Sequence, residues 1–267
     1  MNRNKYQKQD TISIIPINNL PEIAPNDNLA QLIIEQSDCE GIKIIDGDIL
    51  VITQKLISKS ESRTKKLSEV IPSPKAEILS EKINRDPKFI ELILSESIRI
   101  VAMDTKRGLI ITETNHGFIC ANSGIDSSNI LGEDEVSLLP INPDLSASKI
   151  RETILEQTNS TNLGVIITDT FGRAWRNGQT NVCIGIAGLH PIKNYKGLSD
   201  DYGSILTSTE IAIADEIASA SELVMGKTNR VGAAIVRGYN FDNTQIGDSS
   251  DLIRDSAQDL FNKGEFL

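Results

Sequence analysis

Runs of aliphatic and β-branched residues predict the strands of this chain. Residues 11–17 have an isoleucine-rich strand pattern that stops at the turn signal Asn18-Asn19. Residues 109–112 and 117–121 read as two strands around Asn115-His116-Gly117, which indicates a hairpin. Continuous apolar runs at 49–53, 164–168 and 233–236 are typical of strands buried within a sheet.

Apolar residues at helical spacing predict the helices. Leu29, Leu32 and Ile33 share one face after a start signal at Asn26-Asp27. Residues 73–97 predict two amphipathic helices that separate near Asp86-Pro87, because proline suits the first turn of a helix. Further helices are predicted over 146–157, from 213 to Met225-Gly226, and, as a modest terminal helix, over 252–261.

The order of these elements favours an α+β fold. Strands and helices are mixed without a regular βαβ period, and no internal repeat is present. We predict one domain over residues 11–240 and a C-terminal extension over 241–267 that carries the terminal helix.

The composition of the chain limits the classes of partner that it is expected to bind. The chain has 267 residues with 27 basic and 37 acidic side chains, and a net charge of −10 disfavours nucleic acid and anionic membranes. Cys39, Cys120 and Cys183 are widely spaced and suggest neither a disulfide framework nor a zinc site. The N-terminus lacks a signal-peptide pattern, and no apolar run is long enough to span a membrane. We therefore expect a cytoplasmic protein that binds neither nucleic acid nor membranes.

Two aspartates follow predicted strands in polar surroundings. Asp126 lies in the segment 122–129, which has almost no apolar residues, and Asp169 follows the strand at 164–168. Carboxylates in such segments hold hard divalent cations beside phosphates, so both could meet at one metal ion. Such Asp-Ser and Asp-Thr pairs are also common in turns and helix caps. The residues alone leave both interpretations open.

A cationic segment follows Asp169. Residues 172–181 place Arg173 and Arg176 among glycines and amides, and arginines in such a setting bind phosphate or carboxylate. The alternative is a surface loop in which Trp175 packs into the core and the arginines pair with nearby acids. Lys55 and Lys59 would lie one helical turn apart behind the strand at 49–53, where lysines are usually only solvated.

Two familiar motifs have little support. Gly226-Lys227-Thr228 matches the end of a phosphate-binding P-loop, but the first glycine of that motif would fall at Ser221, and a helix is predicted there. His116 and His190 are far apart in the sequence and have no nucleophile signature nearby, which argues against a triad hydrolase. We interpret His116 as a residue of the hairpin turn.

Four segments together resemble the coenzyme F420-0:L-glutamate ligase family. They are residues 47–59, 122–129, 166–185 and 214–226, and the similarity extends from about Ile14 to Asn240. Its most specific stretches are SGIDSSN at 123–129 and TDTFGRAWRNGQ at 168–179, and neither is a generic motif.

The resemblance implies a two-lobed α+β fold, an intertwined homodimer and a GTP-dependent amide ligase. Such an enzyme would need Mg²⁺ or Mn²⁺, with K⁺ as a helper. The γ-phosphoryl group of GTP would pass to a carboxylate of F420-0, and the amine of L-glutamate would attack the acyl phosphate. Phosphoryl transfer relies on positioning and on neutralisation of negative charge, which suits paired aspartates and arginines.

The resemblance also assigns roles to matched positions. Asp126 and Asp169 would hold the first metal ion, and Thr170 would contribute to a second. Arg173 and Arg176 we assign to an anionic substrate on physical grounds. The chain departs from some members at Lys227, where they have an acidic metal ligand, and at Ala233, where proline is usual; Lys227 would then meet a phosphate directly. The nucleotide-contacting positions would be Leu20, Pro21, Glu22, Ile23, Gln54, Lys55, Lys59, Asn129, Met225, Gly226, Lys227, Thr228, Asn229, Arg230, Val231 and Gly232.

Two other functions stay open at this point. A related ligase could keep the nucleotide and metal site but join a different amino acid to a different carboxylate. A deazaflavin-binding or nucleotide-binding protein could use the same polar segments without catalysis.

Overall fold

A computed structural model describes residues 11–127 and 134–259, which contain a five-stranded mixed sheet. The strand order is β1 (Ser13–Ile17), β12 (Ala233–Arg237), β2 (Asp48–Thr53), β8 (Leu163–Arg173) and β9 (Arg176–Ala187). Strands β2 and β8 are parallel, and the other neighbouring pairs are antiparallel. The carboxyl ends of β2 and β8 therefore lie at one edge of the sheet.

Shorter strands form small sheets beside the central one. β4 (Ser97–Asp104), β5 (Leu109–Thr114) and β6 (Ile119–Ala121) make a three-stranded antiparallel sheet. Two further antiparallel pairs are β3 (Thr64–Lys66) with β7 (Glu135–Ser137), and β10 (Lys193–Asn194) with β11 (Glu210–Ile211).

Four of the helices begin at a residue whose side chain caps the first turn. Asn28, Ser73, Asp86 and Asn142 each accept a hydrogen bond from a backbone N–H in the first turn of the helix that follows. The helices are α1 (Leu29–Cys39), α2 (Gln54–Ser60), α3 (Pro74–Ile83), α4 (Pro87–Ser95), α5 (Pro143–Thr158) and α6 (Ile213–Met225), with short 3₁₀ turns at Leu67–Glu69, Asn122–Gly124 and Ser249–Leu252.

The central sheet is buried on both faces because its strands are apolar at consecutive positions. Leu50 and Ile52 of β2 point into a cluster that includes residues of α1 and α5. Ile49 and Val51 point to the opposite face and pack with α6. Adjacent side chains of a strand face opposite sides, so a continuous apolar run requires cover on both.

A third core cluster lies apart from the central sheet. Ile83 of α3, Ile90 and Ile93 of α4, and Ile110 of β5 pack there with Val136 of β7. This cluster stabilises the part of the chain that presents residues 122–126 to the central sheet.

The fold confirms the predicted α+β class and most of the predicted elements. The strands at 11–17, 49–53, 164–168 and 233–236, the hairpin around His116, and the helices before residue 226 all occur in the predicted order. Cys39, Cys120 and Cys183 are free thiols. Within 11–127 and 134–259, no helix is long and apolar enough to cross a membrane.

Two regions differ from the predictions. The segment 172–181 is not a loop, because β8 and β9 pair along most of it and turn at residues 174 and 175. The predicted helix over 252–261 is a 3₁₀ turn at Ser249–Leu252, capped by Asp248 and Asp251, and residues 253–259 are not helical. This last segment lacks the repeated apolar residues that hold an amphipathic helix on a core; residues 260 and 261 lie outside the described part.

Candidate functional site

A cleft of about 990 Å³ opens where β2 and β8 end. Thr53 and Thr168 are register partners on the two parallel strands, so the residues after them, Gln54 and Asp169, enter the cleft together. Gly232, which precedes the antiparallel strand β12, reaches the same edge. Ligands of open sheets bind at the carboxyl ends of parallel strands.

Asp169 is half-buried at the bottom of the cleft. Burial, together with the nearby charge of Asp126, raises the pKa of Asp169 to about 6, against the lowering effects of the Thr170 backbone N–H and of Lys227 and Lys55. Desolvation disfavours the charged carboxylate, and a cation beside it restores the charged form. The Asp169 carboxylate is therefore favoured in its ionised form when a positive charge lies beside it.

Asp126 lines the same cleft and forms an ion pair with Lys55 of α2, with 2.7 Å between Nζ and Oδ2. Its backbone is fixed by two hydrogen bonds to Ser137, because Asp126 and Ser137 form an isolated β-bridge. The structure thus brings the two predicted metal-binding aspartates into one cleft from segments that are far apart in sequence.

The turn before Asp126 has an unusual backbone. Asn122, Ser123 and Gly124 have φ values of 52°, 56° and 72°, in the left-handed region that non-glycine residues rarely adopt. The Ser123 hydroxyl donates to the Ile93 carbonyl at 3.0 Å, and its N–H donates to Thr112 Oγ1 at 3.0 Å. Such strain persists only when surrounding contacts hold it, and it clusters at functional sites.

The oxygen Oδ1 of Asn122 is buried without a hydrogen-bond partner in the described structure, although the residue lines the cleft. A buried acceptor without a partner is costly unless a ligand or an ion supplies one. Sequence reasoning placed Asn122 in the polar segment but gave it no role, because the left-handed turn that orients it depends on Thr112 and Ile93.

A second set of cationic residues, Lys59 and Arg230, also lines the cleft. Lys59 of α2 forms an ion pair with Glu22, and Arg230 approaches the same carboxylate at 3.4 Å. All three residues line the cleft. Lys59 is therefore not merely solvated, which was the simplest expectation for a lysine at that position.

Lys227 lies after the end of α6, where Gly226 at φ 59° closes the helix with its N–H bonded to the Glu222 carbonyl. The Lys227 ammonium donates to Thr170 Oγ1 and lies 3.3 Å from Glu222 Oε1. The preceding segment is a helix, which agrees with the rejection of a P-loop at this position.

The two arginines predicted to bind an anion do not line the cleft. Arg173 and Arg176 are exposed at the far end of the β8–β9 hairpin, and the Arg173 guanidinium donates to the carbonyls of Asn177 and Gly178. Trp175 is 80% exposed, so the alternative in which it packs into the core is wrong. Past Asp169 the two strands continue as a hairpin, with a register shift between Gly172 and Arg173, and this hairpin carries the two arginine side chains outward.

Most of the other predicted positions meet in the cleft. Met225 is buried in the core and Asn229 does not line the cleft, whereas Asn129 lies outside the described residues. The predicted residues that line it are Leu20, Pro21, Glu22, Ile23, Gln54, Lys55, Lys59, Asp126, Asp169, Thr170, Gly226, Lys227, Thr228, Arg230, Val231 and Gly232.

Several lining residues were missed. Cys120, Phe171, Gln179 and Asn181 line the cleft, although none of them was assigned to it from the sequence. The available signals were their positions: Phe171 and Gln179 lie within the distinctive stretch 168–179, and Asn181 is one of the amides of the segment 172–181.

The fold and the cleft define a class: an α+β protein with a polar small-molecule site. Among the described residues, this site combines three carboxylates, Glu22, Asp126 and Asp169, with four cationic side chains, Lys55, Lys59, Lys227 and Arg230. The carboxylates are placed for a cation and the cationic groups for an anion, which is the composition expected of a phosphate-handling site.

Comparisons with known proteins agree with this class. The family model described as F420-0:Gamma-glutamyl ligase matches residues 18–238. A relative from Methanothermobacter thermautotrophicus named "Coenzyme F420:L-glutamate ligase" is 41% identical over 94% of this chain and 98% of its own length. One of the same name from Methanocaldococcus jannaschii is 43% identical over 88% and 90%. The chain belongs to the F420-0:gamma-glutamyl ligase family.

Proposed function

We propose that this chain joins L-glutamate to coenzyme F420-0 through a γ-linked amide, with GTP as the source of energy. The observation that carries the proposal is the cleft, in which Asp126, Asp169 and the cationic groups meet within a family match that covers most of the chain. The name of its relatives supports the acceptor and the amino acid. GTP is inferred from the resemblance and from the charges of the cleft.

The reaction has two steps. A carboxylate oxygen of F420-0 attacks the γ-phosphorus of GTP, so that an acyl phosphate forms and GDP leaves. The amine of glutamate then attacks the acyl carbon, an amide bond forms, inorganic phosphate leaves, and the amine gives up a proton. The product is F420-1, and further glutamates would repeat the cycle.

The residues of the cleft would act by binding and orienting the reactants. Lys59 and Arg230 are anchored by Glu22 and are placed to bind phosphate oxygens. The short loop at 20–23 and the residues from Gly226 to Gly232 form the walls that would enclose the nucleotide. A site held by several elements keeps the two reactants in line, which is the main source of rate in phosphoryl transfer.

We further propose that Asp126 and Asp169 hold one Mg²⁺ or Mn²⁺ ion; the hydroxyl of Thr170, which the resemblance assigns to a second metal position, accepts a hydrogen bond from Lys227 in this structure. The donor set fits, because two carboxylates face one cleft, and burial together with the charge of Asp126 raises the pKa of Asp169, an effect that a bound cation would offset. A bound divalent ion would neutralise charge on the transferred phosphoryl group. Among the described residues, no group of three His, Cys, Asp or Glu side chains could hold a metal ion, so other oxygen atoms must complete the ligand set. The K⁺ requirement remains an expectation with no residue assigned.

A homodimer is proposed for the assembly. The small sheet β4–β5–β6 exposes Ile98, Val101, Met103 and Ile119. Exposed apolar patches of this kind are typical of interfaces. Light scattering coupled to size-exclusion chromatography would separate a mass near twice 29.2 kDa from the monomer mass.

The test is GDP and phosphate release from GTP in the presence of Mn²⁺, with F420-0 and L-glutamate each omitted in turn. Release that needs both substrates, together with a product one glutamate heavier by mass spectrometry, is the expected result. Release with another amino acid only would indicate a related ligase. Nucleotide or F420-0 binding without release under every combination would indicate a binding protein.

A further inference from the structure

The Lys227 side chain ends in a cage of oxygen atoms, although it is 57% exposed along its length. Its ammonium donates to Thr170 Oγ1, lies 3.4 Å from Asn181 Oδ1 and lies 3.3 Å from Glu222 Oε1. A lysine ammonium has three protons to donate, and three oxygens from two strands and one helix surround it.

The cage is built independently of the lysine. Asn181 is 1% exposed and is the register partner of Thr170 across β8 and β9. The Thr170 hydroxyl donates to Asn181 Oδ1 at 2.6 Å, and Asn181 Nδ2 donates to Glu222 Oε2 at 2.9 Å. Because the Thr170 hydroxyl donates its proton to Asn181, its oxygen lone pairs can accept from a cation. The buried amide of Asn181 thereby fixes the orientation of Thr170, of Glu222 and of its own side chain.

A hydroxyl, an amide oxygen and a carboxylate are hard ligands that suit a divalent cation as well as an ammonium. The cage is continuous with the main site, since Thr170 follows Asp169 and since Thr170, Asn181 and Lys227 all line the cleft. The three oxygens therefore form a binding position for a cation at the cleft, and the Lys227 ammonium occupies it.

We propose that the Lys227 ammonium occupies this cation position in place of a second divalent metal ion and there faces the phosphate groups of the nucleotide. The proposal rests on the proposed function for the identity of the anion, but not for the occupancy of the cage. It predicts that the chain binds one divalent ion fewer than its oxygen donors could hold.

The experiment counts Mn²⁺ bound per chain by electron paramagnetic resonance of the free ion, without nucleotide or substrate. Lys227→Gln removes the charge and opens the cage, and we expect one additional bound Mn²⁺ per chain. The double variant Lys227→Gln/Glu222→Gln should lose that additional ion, because the carboxylate of the cage is gone. Lys227→Met is a second test of the vacated cage, with circular dichroism as the check of folding.

The matched control is Lys196→Gln. Lys196 is also an exposed lysine paired with a glutamate, Glu210, at 2.6 Å, but it lies on the β10–β11 side and does not line the cleft. It changes the net charge equally and should gain no Mn²⁺. Equal counts in wild type, Lys227→Gln and Lys227→Met would overturn the proposal, as would the same gain in the control.

The outcome can be separated from the proposed function. Failure of the ligase proposal would appear as the absence of substrate-dependent GDP release by the wild-type chain, which leaves the difference in Mn²⁺ count unaffected. Failure of the inference would appear as equal Mn²⁺ counts in a chain that releases GDP normally.

Discussion

The floor of the cleft, at Asp169, and the tip of the β8–β9 hairpin, at residues 173–176, lie on the same two strands. They differ in the surroundings of their charged side chains. At the floor, Asp169 is half-buried and interacts electrostatically with Asp126, Lys55 and Lys227. At the tip, Arg173 bonds only to backbone carbonyls of its own turn among the contacts resolved for its guanidinium, and its neighbours are exposed.

This difference has a geometric cause. Asp169 is the first residue of β8 after its last pair with β2, Thr53 with Thr168, so the end of β2 and other segments still converge there. Beyond Thr168, β8 pairs with β9 alone, and each further residue carries the hairpin away from the sheet. A charged residue forms a site where several elements meet, and the same residue type on a two-stranded arm is mainly solvated.

The largest effect is expected at the floor. Asp169→Asn removes a carboxylate from the proposed metal site and should lower GDP release by on the order of 10²–10³-fold, the range seen when one charge-stabilising group is lost. Arg173→Gln at the tip is the control and should change release less than about threefold. Normal turnover by Asp169→Asn would remove the metal assignment, and a large loss at Arg173 would mean that the tip serves a site on another copy of the chain.

The next effect concerns the strained turn that presents Asp126. A Cβ at Gly124 would lie 2.8 Å from side-chain atoms of Leu139, and φ there is 72°. Gly124→Ala should therefore lower the free energy of unfolding by about 1–3 kcal/mol, since overpacking and a left-handed backbone both oppose the substitution. Urea denaturation measures it. Gly172→Ala, where no atom lies within 4 Å of the added Cβ, is the matched control.

Asp169 also predicts a dependence of stability on pH. Its folded pKa of about 6 lies above the ordinary value of 3.8, so the folded state binds more protons between these values. Stability contributed by the protonated form is therefore present below about pH 4 and is lost as pH rises through about 6. In metal-free protein the wild type should lose about 1–2 kcal/mol across this window relative to Asp169→Asn. The measurement is the free energy of unfolding in urea at several pH values. If it changed equally with pH in both proteins, the raised pKa of Asp169 would be contradicted.

The smallest effect is expected at the tip. Trp175 has φ 58° and is 80% exposed, so Trp175→Gly should relieve backbone strain with little loss of packing. We expect a change in stability within about 1 kcal/mol, because the left-handed conformation costs a non-glycine residue about that much. A loss larger than about 1 kcal/mol, measured by the same denaturation, would contradict this expectation and show that the indole contributes to stability.

Most of the fold was predictable because its signals are local. The apolar runs of β2, β8 and β12 and the helical spacing of α1 and α6 gave elements close to their observed bounds. Strand β4 was missed, although residues 100–103 are a short apolar run; its residues are mostly exposed, so this run is not part of a buried strand. The terminal helix was overpredicted because a few apolar residues resemble a helical face even when no core receives them.

The candidate site could be predicted from the sequence only where its residues lie in a distinctive motif. Asp126, Asp169 and Thr170 lie in the two distinctive stretches, and the structure brings them to one cleft. Asn122 and Asn181 were missed, because a backbone turn and a cross-strand pairing give them their roles. Arg173 and Arg176 have the right chemistry for an anion, but the ladder of β8 and β9 places them elsewhere.

The sequence by itself determined the α+β class, the buried strands and the family. It also singled out Asp126 and Asp169 as the candidate metal ligands. These follow from composition, periodicity and specific motifs, which are properties of neighbouring residues. The tertiary structure decided which charges face one another: Lys55 with Asp126, Lys59 and Arg230 with Glu22, and Lys227 within its oxygen cage. Those pairings join residues far apart in the chain, and only the packing of the sheet edge against its helices brings them within a few ångströms.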